Sequence, residues 1–291
     1  MNTTIRTLLA NRLMRIIIFL IIFALPVAII YSLISTEAGT NIHILLFLLF
    51  IATIIVESSR SNSKWYAVGL RFDKFAVKYI IIGLLLALGS MAMFIPVKLS
   101  AGYEFIGVTI PSVESLFQFT SLIFCYSVFE ELMFRGVIFQ TLLEKFNETL
   151  VTLVFSLFFA ILHIFNTSFD LISFLNTFLA GILFSFMYIQ TKSLWLPISL
   201  HFFWNFSQKL IADANISGNY YDISFINMKL SETNADIELF TGGYYGPESS
   251  VITIFLLILF IVITSRVPYS PYQNSILLKR KYAESELRHK N

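Results

Sequence analysis

The chain has 291 residues, of which 57% are hydrophobic and 13% charged, with 31 Phe and a formal net charge of +2. A soluble protein averages nearer ~25% charged residues, so the composition excludes an ordinary soluble enzyme and points to a polytopic membrane protein. The single cysteine, Cys125, excludes an intrachain disulfide and a cysteine-based metal cage, and it reads as a small apolar packing residue.

Apolar runs long enough to span a bilayer occur at 16–35, 42–57, 79–97, 115–140, 150–165, 171–189, 194–211 and 251–264. The fold expected is therefore all-α: a polytopic transmembrane bundle of about eight helices, forming a single membrane domain over 1–291. Runs of this length rule out a transmembrane barrel, whose strands alternate. Arg6, Arg12 and Arg15 precede the first run, which is too long for a signal-peptide core and lacks a small-residue cleavage site. It reads as an anchor, with 5–9 as a weakly amphipathic arm.

Basic residues fall on alternate connections. Arg12, Arg15, Arg60, Lys64, Arg71, Lys74, Lys78, Lys145, Lys192, Arg266, Lys279, Arg280 and Lys281 share one side. Glu37, Glu104, Asp170 and the acidic stretch 213–248 share the other, which predicts cytoplasmic termini. The outer loop 212–250 is the longest non-membrane segment; it either caps the external face or moves freely. The tail from 267 opens with prolines and turns basic, as suits a segment near anionic headgroups. No P-loop, G-x-G-x-x-G or G-x-S-x-G is present, so nucleotide and serine-hydrolase chemistry have no foothold, and no nucleic-acid partner is expected.

The run 115–140 contains Phe129-Glu130-Glu131-Leu132-Met133-Phe134-Arg135-Gly136. A charge near the bilayer centre costs about 2.5–3.5 kcal/mol on insertion scales, so ionisable residues there mark function. Glu131 and Arg135 stand at i and i+4 and can pair, with the acid N-terminal. Glu130 is rotated about 100° away and lies five positions before Arg135, so it needs a partner from elsewhere in the chain.

His163 and His201 lie inside apolar runs, whereas His43 and His289 read as solvent-exposed. Phe159 stands one turn before His163, and Asn205 one turn after His201, each pair on one helix face. Counted from the cytoplasmic ends at ~1.5 Å per residue, Glu130 lies roughly 15 Å deep, His163 roughly 20 Å and His201 roughly 10–12 Å. All three fall in one layer on the cytoplasmic side of a core about 30 Å thick.

A carboxylate beside an imidazole can deprotonate a water, and His163 is the natural partner of Glu130. The His201–Asn205 face supplies neutral donors suited to an oxyanion. Together these suggest amide hydrolysis. Zinc bound by His163, His201 and a carboxylate is the alternative chemistry, although no H-E-x-x-H is present.

At these residues the chain resembles the type II CAAX prenyl endopeptidase family, also called the CPBP or Abi family of intramembrane proteases. The motifs are E-E-x-x-x-R (Glu130, Glu131, Arg135), F-x-x-x-H (Phe159, His163) and H-x-x-x-N (His201, Asn205), with Leu179-Ala180-Gly181 and Pro197 in similar flanks. The resemblance spans 115–208 as a catalytic core. It implies that Glu130 and His163 activate water, that His201 and Asn205 form the oxyanion hole, and that Glu131, Arg135 and Phe159 support them. It further implies no metal cofactor, a membrane-associated peptide or protein substrate, and a multi-pass location. The Ile-, Phe- and Asn-rich composition hints at a low-GC bacterium, hence its plasma membrane. Bacterial relatives are linked to bacteriocin self-immunity, peptide maturation or regulation of membrane sensors. The competing expectation is a non-proteolytic immunity or scaffold protein that binds a sensor or toxin receptor; oligomeric state is left open.

Overall fold

The computed structural model describes residues 11–33, 42–59, 65–230 and 235–266. The arm at 5–9, Glu37, Arg60, Lys64 and the tail from 267 lie outside the described residues. The helices are α1 (Arg12–Leu33), α2 (Ile42–Ser59), α3 (Lys74–Ser100), α4 (Val113–Arg135), α5 (Val137–Leu143) and α6 (Glu148–Leu162). They continue as α7 (Leu171–Thr191), α8 (Trp195–Leu210), α9 (Ala235–Thr241) and α10 (Val251–Arg266).

The protein is a helical membrane bundle. Four stretches, 12–29, 74–100, 148–165 and 171–191, are long and apolar enough to cross a bilayer, and 42–58 and 251–266 are shorter apolar helices. Their outward faces remain apolar: Leu20, Leu25, Leu85, Phe255 and Leu259 are all exposed. Lipid is the solvent that suits such faces. The more polar helices α4 and α8 stand outside that group and carry the ionisable residues.

One predicted span needs correction. The run 115–140 is not one helix, because α4 ends at Arg135 and α5 starts at Val137. Gly136 makes the break, since a Cβ there would run into the Leu132 carbonyl. The carbonyl of Arg135 is instead capped by Gln140 Nε2 at 2.9 Å, and the same nitrogen reaches Val68 O at 2.6 Å. The run 150–165 stands within the candidate span 148–165, in which α6 ends at Leu162 and His163 opens a 3-10 turn through Phe165.

Small residues set the close helix contacts, as in lipid-embedded bundles generally. A Cβ on Gly181 of α7 would stand 2.8 Å from Ser156 Cα of α6, and one on Gly83 of α3 would stand 2.6 Å from Leu200 N of α8. One apolar cluster joins α1, α2, α4 and α5 through Phe19, Leu49, Leu132 and Phe139. A second joins α3, α7, α8 and α10 through Met91, Leu183, Leu200 and Leu257. The site lies where α4, α7 and α8 meet.

The described part of the loop 212–250 is tied to the helix ends. Strands β1 (Tyr103–Val108) and β2 (Ile226–Leu230) pair antiparallel, with an irregularity between Phe105 and Gly107. Buried Lys98 donates to the carbonyls of Ala212 at 2.7 Å and Asp213 at 3.0 Å, which holds the end of α8. Asp213 in turn accepts from Lys209 at 2.8 Å and from the Met228 amide at 2.9 Å. On the other flank, Asp170 caps α7 by a reciprocal box with Ser173 and accepts from Ser249 at 2.6 Å.

Candidate active site

Arg135 and Glu131 are both 0% exposed and pair at 3.2 Å, as the i,i+4 spacing predicts. The guanidinium also donates to the Gly181 carbonyl at 2.9 Å and lies 5.1 Å from the Phe159 ring and 5.4 Å from the Phe184 ring. Burying an unpaired charge costs several kcal/mol, so acid, carbonyl and aromatic faces together make this cation tolerable. Gly181 therefore has a double role: it lets α6 approach, and it leaves its carbonyl within reach of Arg135.

His201 joins this pair. Its Nδ1 lies 3.1 Å from Glu131 Oε1, and its Nε2 lies 3.8 Å from Glu130 Oε2. The ring stacks on Phe184, with centroids 5.3 Å apart and planes within 17°. A carboxylate only accepts, so Nδ1 donates its proton to Glu131. In a neutral ring Nε2 is then an acceptor. Only the doubly protonated ring donates from Nε2 as well.

His163 is oriented by its own helix. Its Nδ1 donates to the Phe159 carbonyl at 2.7 Å, which leaves the Nε2 lone pair of a neutral ring unengaged. Phe159 packs against the histidine at 4.6 Å and edge-on to Phe134 at 4.9 Å, so it holds α6 against α4. No hydrogen bond or ion pair joins Glu130 to His163; the imidazole nearest Glu130 is that of His201. Glu130 Oε2 is buried and has no hydrogen-bond partner, although the side chain as a whole is 25% exposed.

His163, His201 and Asn205 line one cavity with about 600 Å³ of empty space. Its walls are largely apolar, including Leu183, Phe184, Trp204 and Phe260, and the Asn205 carboxamide is not engaged in a hydrogen bond within the described residues. Glu130 borders this space through His201 rather than lining it. Ser217 and Glu248 of the outer loop also line it. The cavity lining thus includes residues of the loop 212–250.

Residues 112–207 match the family model for type II CAAX prenyl endopeptidases, described as Rce1-like. This stretch of the chain is similar to that family. The matched stretch runs from the cap of α4 through most of α8, and it contains Glu130, Glu131, Arg135, Phe159, His163, His201 and Asn205. A curated relative from Bacillus subtilis (strain 168), "Putative membrane peptidase YdiL", is 37% identical over 78 residues, which is 27% of this chain. The chain spans 30% of that relative's length. No solved structure matches the chain.

Outside the matched stretch, sequence reasoning missed Glu248. Burial pushes its carboxyl up to about 7, despite hydrogen bonds from Gln208 at 2.6 Å and Ser217 at 3.3 Å. Its sequence neighbourhood carries no helical period, so no face could be assigned to it.

Proposed function

We propose that this chain is a multi-pass membrane endopeptidase that hydrolyses a peptide bond of a membrane-associated peptide or protein. The observation that carries it is His201, which links Glu131 and Glu130 at the wall of a cavity it shares with His163 and Asn205. Glu130 accepts a proton from water while the water oxygen bonds to the scissile carbonyl carbon, with His163 Nε2 as the second acceptor that orients it. The carbonyl electrons move onto oxygen, where Asn205 and the protonated His201 donate to the oxyanion. The carbon–nitrogen bond then breaks, and the departing amine takes the proton held by Glu130.

Glu131, Arg135 and Phe159 position these groups. Glu131 holds the His201 ring, Arg135 holds Glu131, and Phe159 holds His163. Water activation is assigned to Glu130 without a metal ion. Both termini face the cytoplasm of a bacterial plasma membrane in this proposal, in keeping with the alternation of basic residues. Bacteriocin self-immunity or peptide maturation is the role such an activity would serve by resemblance.

Comparative peptidomics of membranes containing wild-type protein or Glu130→Ala tests this. New peptide termini are expected with wild type alone. Identical peptide sets at equal expression would overturn it.

A further inference from the structure

Beyond the hydrolytic groups, the cavity contains two acceptors that the proposed chemistry does not use. Glu248 and Asn176 both line it. Asn176 is 1% exposed, and its Nδ2 donates to the carbonyls of Glu248 and Ser250, each at 2.9 Å. Carbonyls only accept, so this fixes the amide orientation and leaves Oδ1 as an acceptor. That Oδ1 is buried without a hydrogen-bond partner.

Glu248 is bound only by neutral donors. Its two oxygens take Gln208 Nε2 at 2.6 Å and Ser217 Oγ at 3.3 Å, and the Ser217 backbone contributes as well. No cation pairs with it among the described residues. Gln208 is itself anchored to the Asn215 carbonyl, so the carboxyl is held rather than free to swing into solvent. An unmatched carboxyl and an unmatched amide oxygen in one apolar cavity call for a group that donates several protons and carries positive charge.

We infer that Glu248 and Asn176 form a subsite for a primary ammonium on the substrate, either a free amino terminus or a lysine side chain. This rests on the endopeptidase reading for what the bound chain is, but not for whether an amine binds. The raised Glu248 carboxyl agrees with it, because an arriving ammonium would supply the missing counter-charge. The position also sets a register. Asn176 precedes Phe184, the residue stacked on His201, by about 12 Å along α7 at ~1.5 Å per residue. An extended peptide covers that distance in roughly three to four residues. The bond presented to His201 and Asn205 therefore lies three or four residues from the anchored amine.

The test is binding of coumarin-labelled peptides to the full chain in phosphatidylcholine nanodiscs, with empty nanodiscs subtracted. The parent probe is Leu-Phe-Ala-Leu-Phe-Leu with a free amino terminus. It is compared with its N-acetyl form and with N-acetyl forms that begin with lysine or norleucine. Wild type is expected to bind at least one amine form about tenfold or more tightly than its uncharged counterpart, as charge-assisted hydrogen bonds imply. Which amine form gains separates amino terminus from lysine. In Glu248→Gln the preference is expected to vanish while the uncharged forms bind as before.

Equal affinity of amine and uncharged forms for wild type, or no binding of the amine forms, overturns the subsite without recourse to any variant. So does a preference that survives in folded Glu248→Gln. Because no readout involves cleavage, failure here leaves the hydrolytic assignment standing, and failure of that assignment leaves amine binding measurable.

Discussion

His201 donates its Nδ1 proton to Glu131, 3.1 Å away on a helix 70 positions earlier, and that acid simultaneously binds Arg135 at 3.2 Å. The second acid of the Glu130-Glu131 pair is thus the junction between the buried cation and the imidazole at the cavity wall. The first acid faces the other ring nitrogen. The structural contacts of Glu131 are therefore separable from the hydrolytic role proposed for Glu130.

Separate duties predict separate phenotypes. Glu131→Ala leaves Arg135 buried without its acid and is expected to destabilise the bundle by about 3–5 kcal/mol. Glu130→Ala removes a side chain with no hydrogen bond and is expected to change stability by less than about 1 kcal/mol. Thermal unfolding in one detergent checks both. Equal losses would place Glu130 in the structural network.

At Gly181, a methyl group meets Ser156 backbone at 2.8 Å and must push α6 from α7. The same shift moves the carbonyl that accepts from Arg135. Gly181→Ala is expected to cost about 1–3 kcal/mol and to reduce activity, while Gly89→Ala, which meets open space, is expected to leave activity unchanged. Unfolding and cleavage assays on the two variants make the comparison.

The cap of α7 and the outer loop share Asp170. Replacing it with alanine removes the N-cap bond to Ser173 and the 2.6 Å bond from Ser249. A loss of about 1–2 kcal/mol is expected from the cap, together with proteolytic opening of the loop over the cavity. Limited proteolysis between 212 and 250 reads out the second effect.

Glu248 gives the protein a stability term that falls as pH rises. Burial lifts its carboxyl from an ordinary 4.5 to about 7, so across that window the folded chain keeps a proton that the unfolded chain has released. Folding is favoured below the window and loses this contribution as pH climbs through it. Wild type is expected to lose stability relative to Glu248→Gln between roughly pH 4.5 and 7. The difference cancels other titrating groups and is measurable by thermal unfolding at matched ionic strength.

Much of the bundle was legible because apolar run length maps directly onto span length, and i,i+4 spacing fixed the Glu131–Arg135 pair. Spacing sorts faces within one helix but not across helices, so it could not decide that His201, and not His163, faces the acids. The break at Gly136 was hidden because apolar residues continue on both sides of it. The loop was harder still. Its order comes from contacts distant in sequence, such as Lys98 to Ala212 and Asp170 to Ser249, and with it came the unforeseen acid in the cavity.

Cleavage by purified full-length protein in nanodiscs, with a substrate taken from the peptidomic comparison, tests the central claim most directly. Glu130→Ala and His163→Ala, each with wild-type thermal stability, are expected to abolish product formation. Full cleavage by both variants would contradict water activation by Glu130 and His163, and would leave a membrane protein that binds its partner without cutting it.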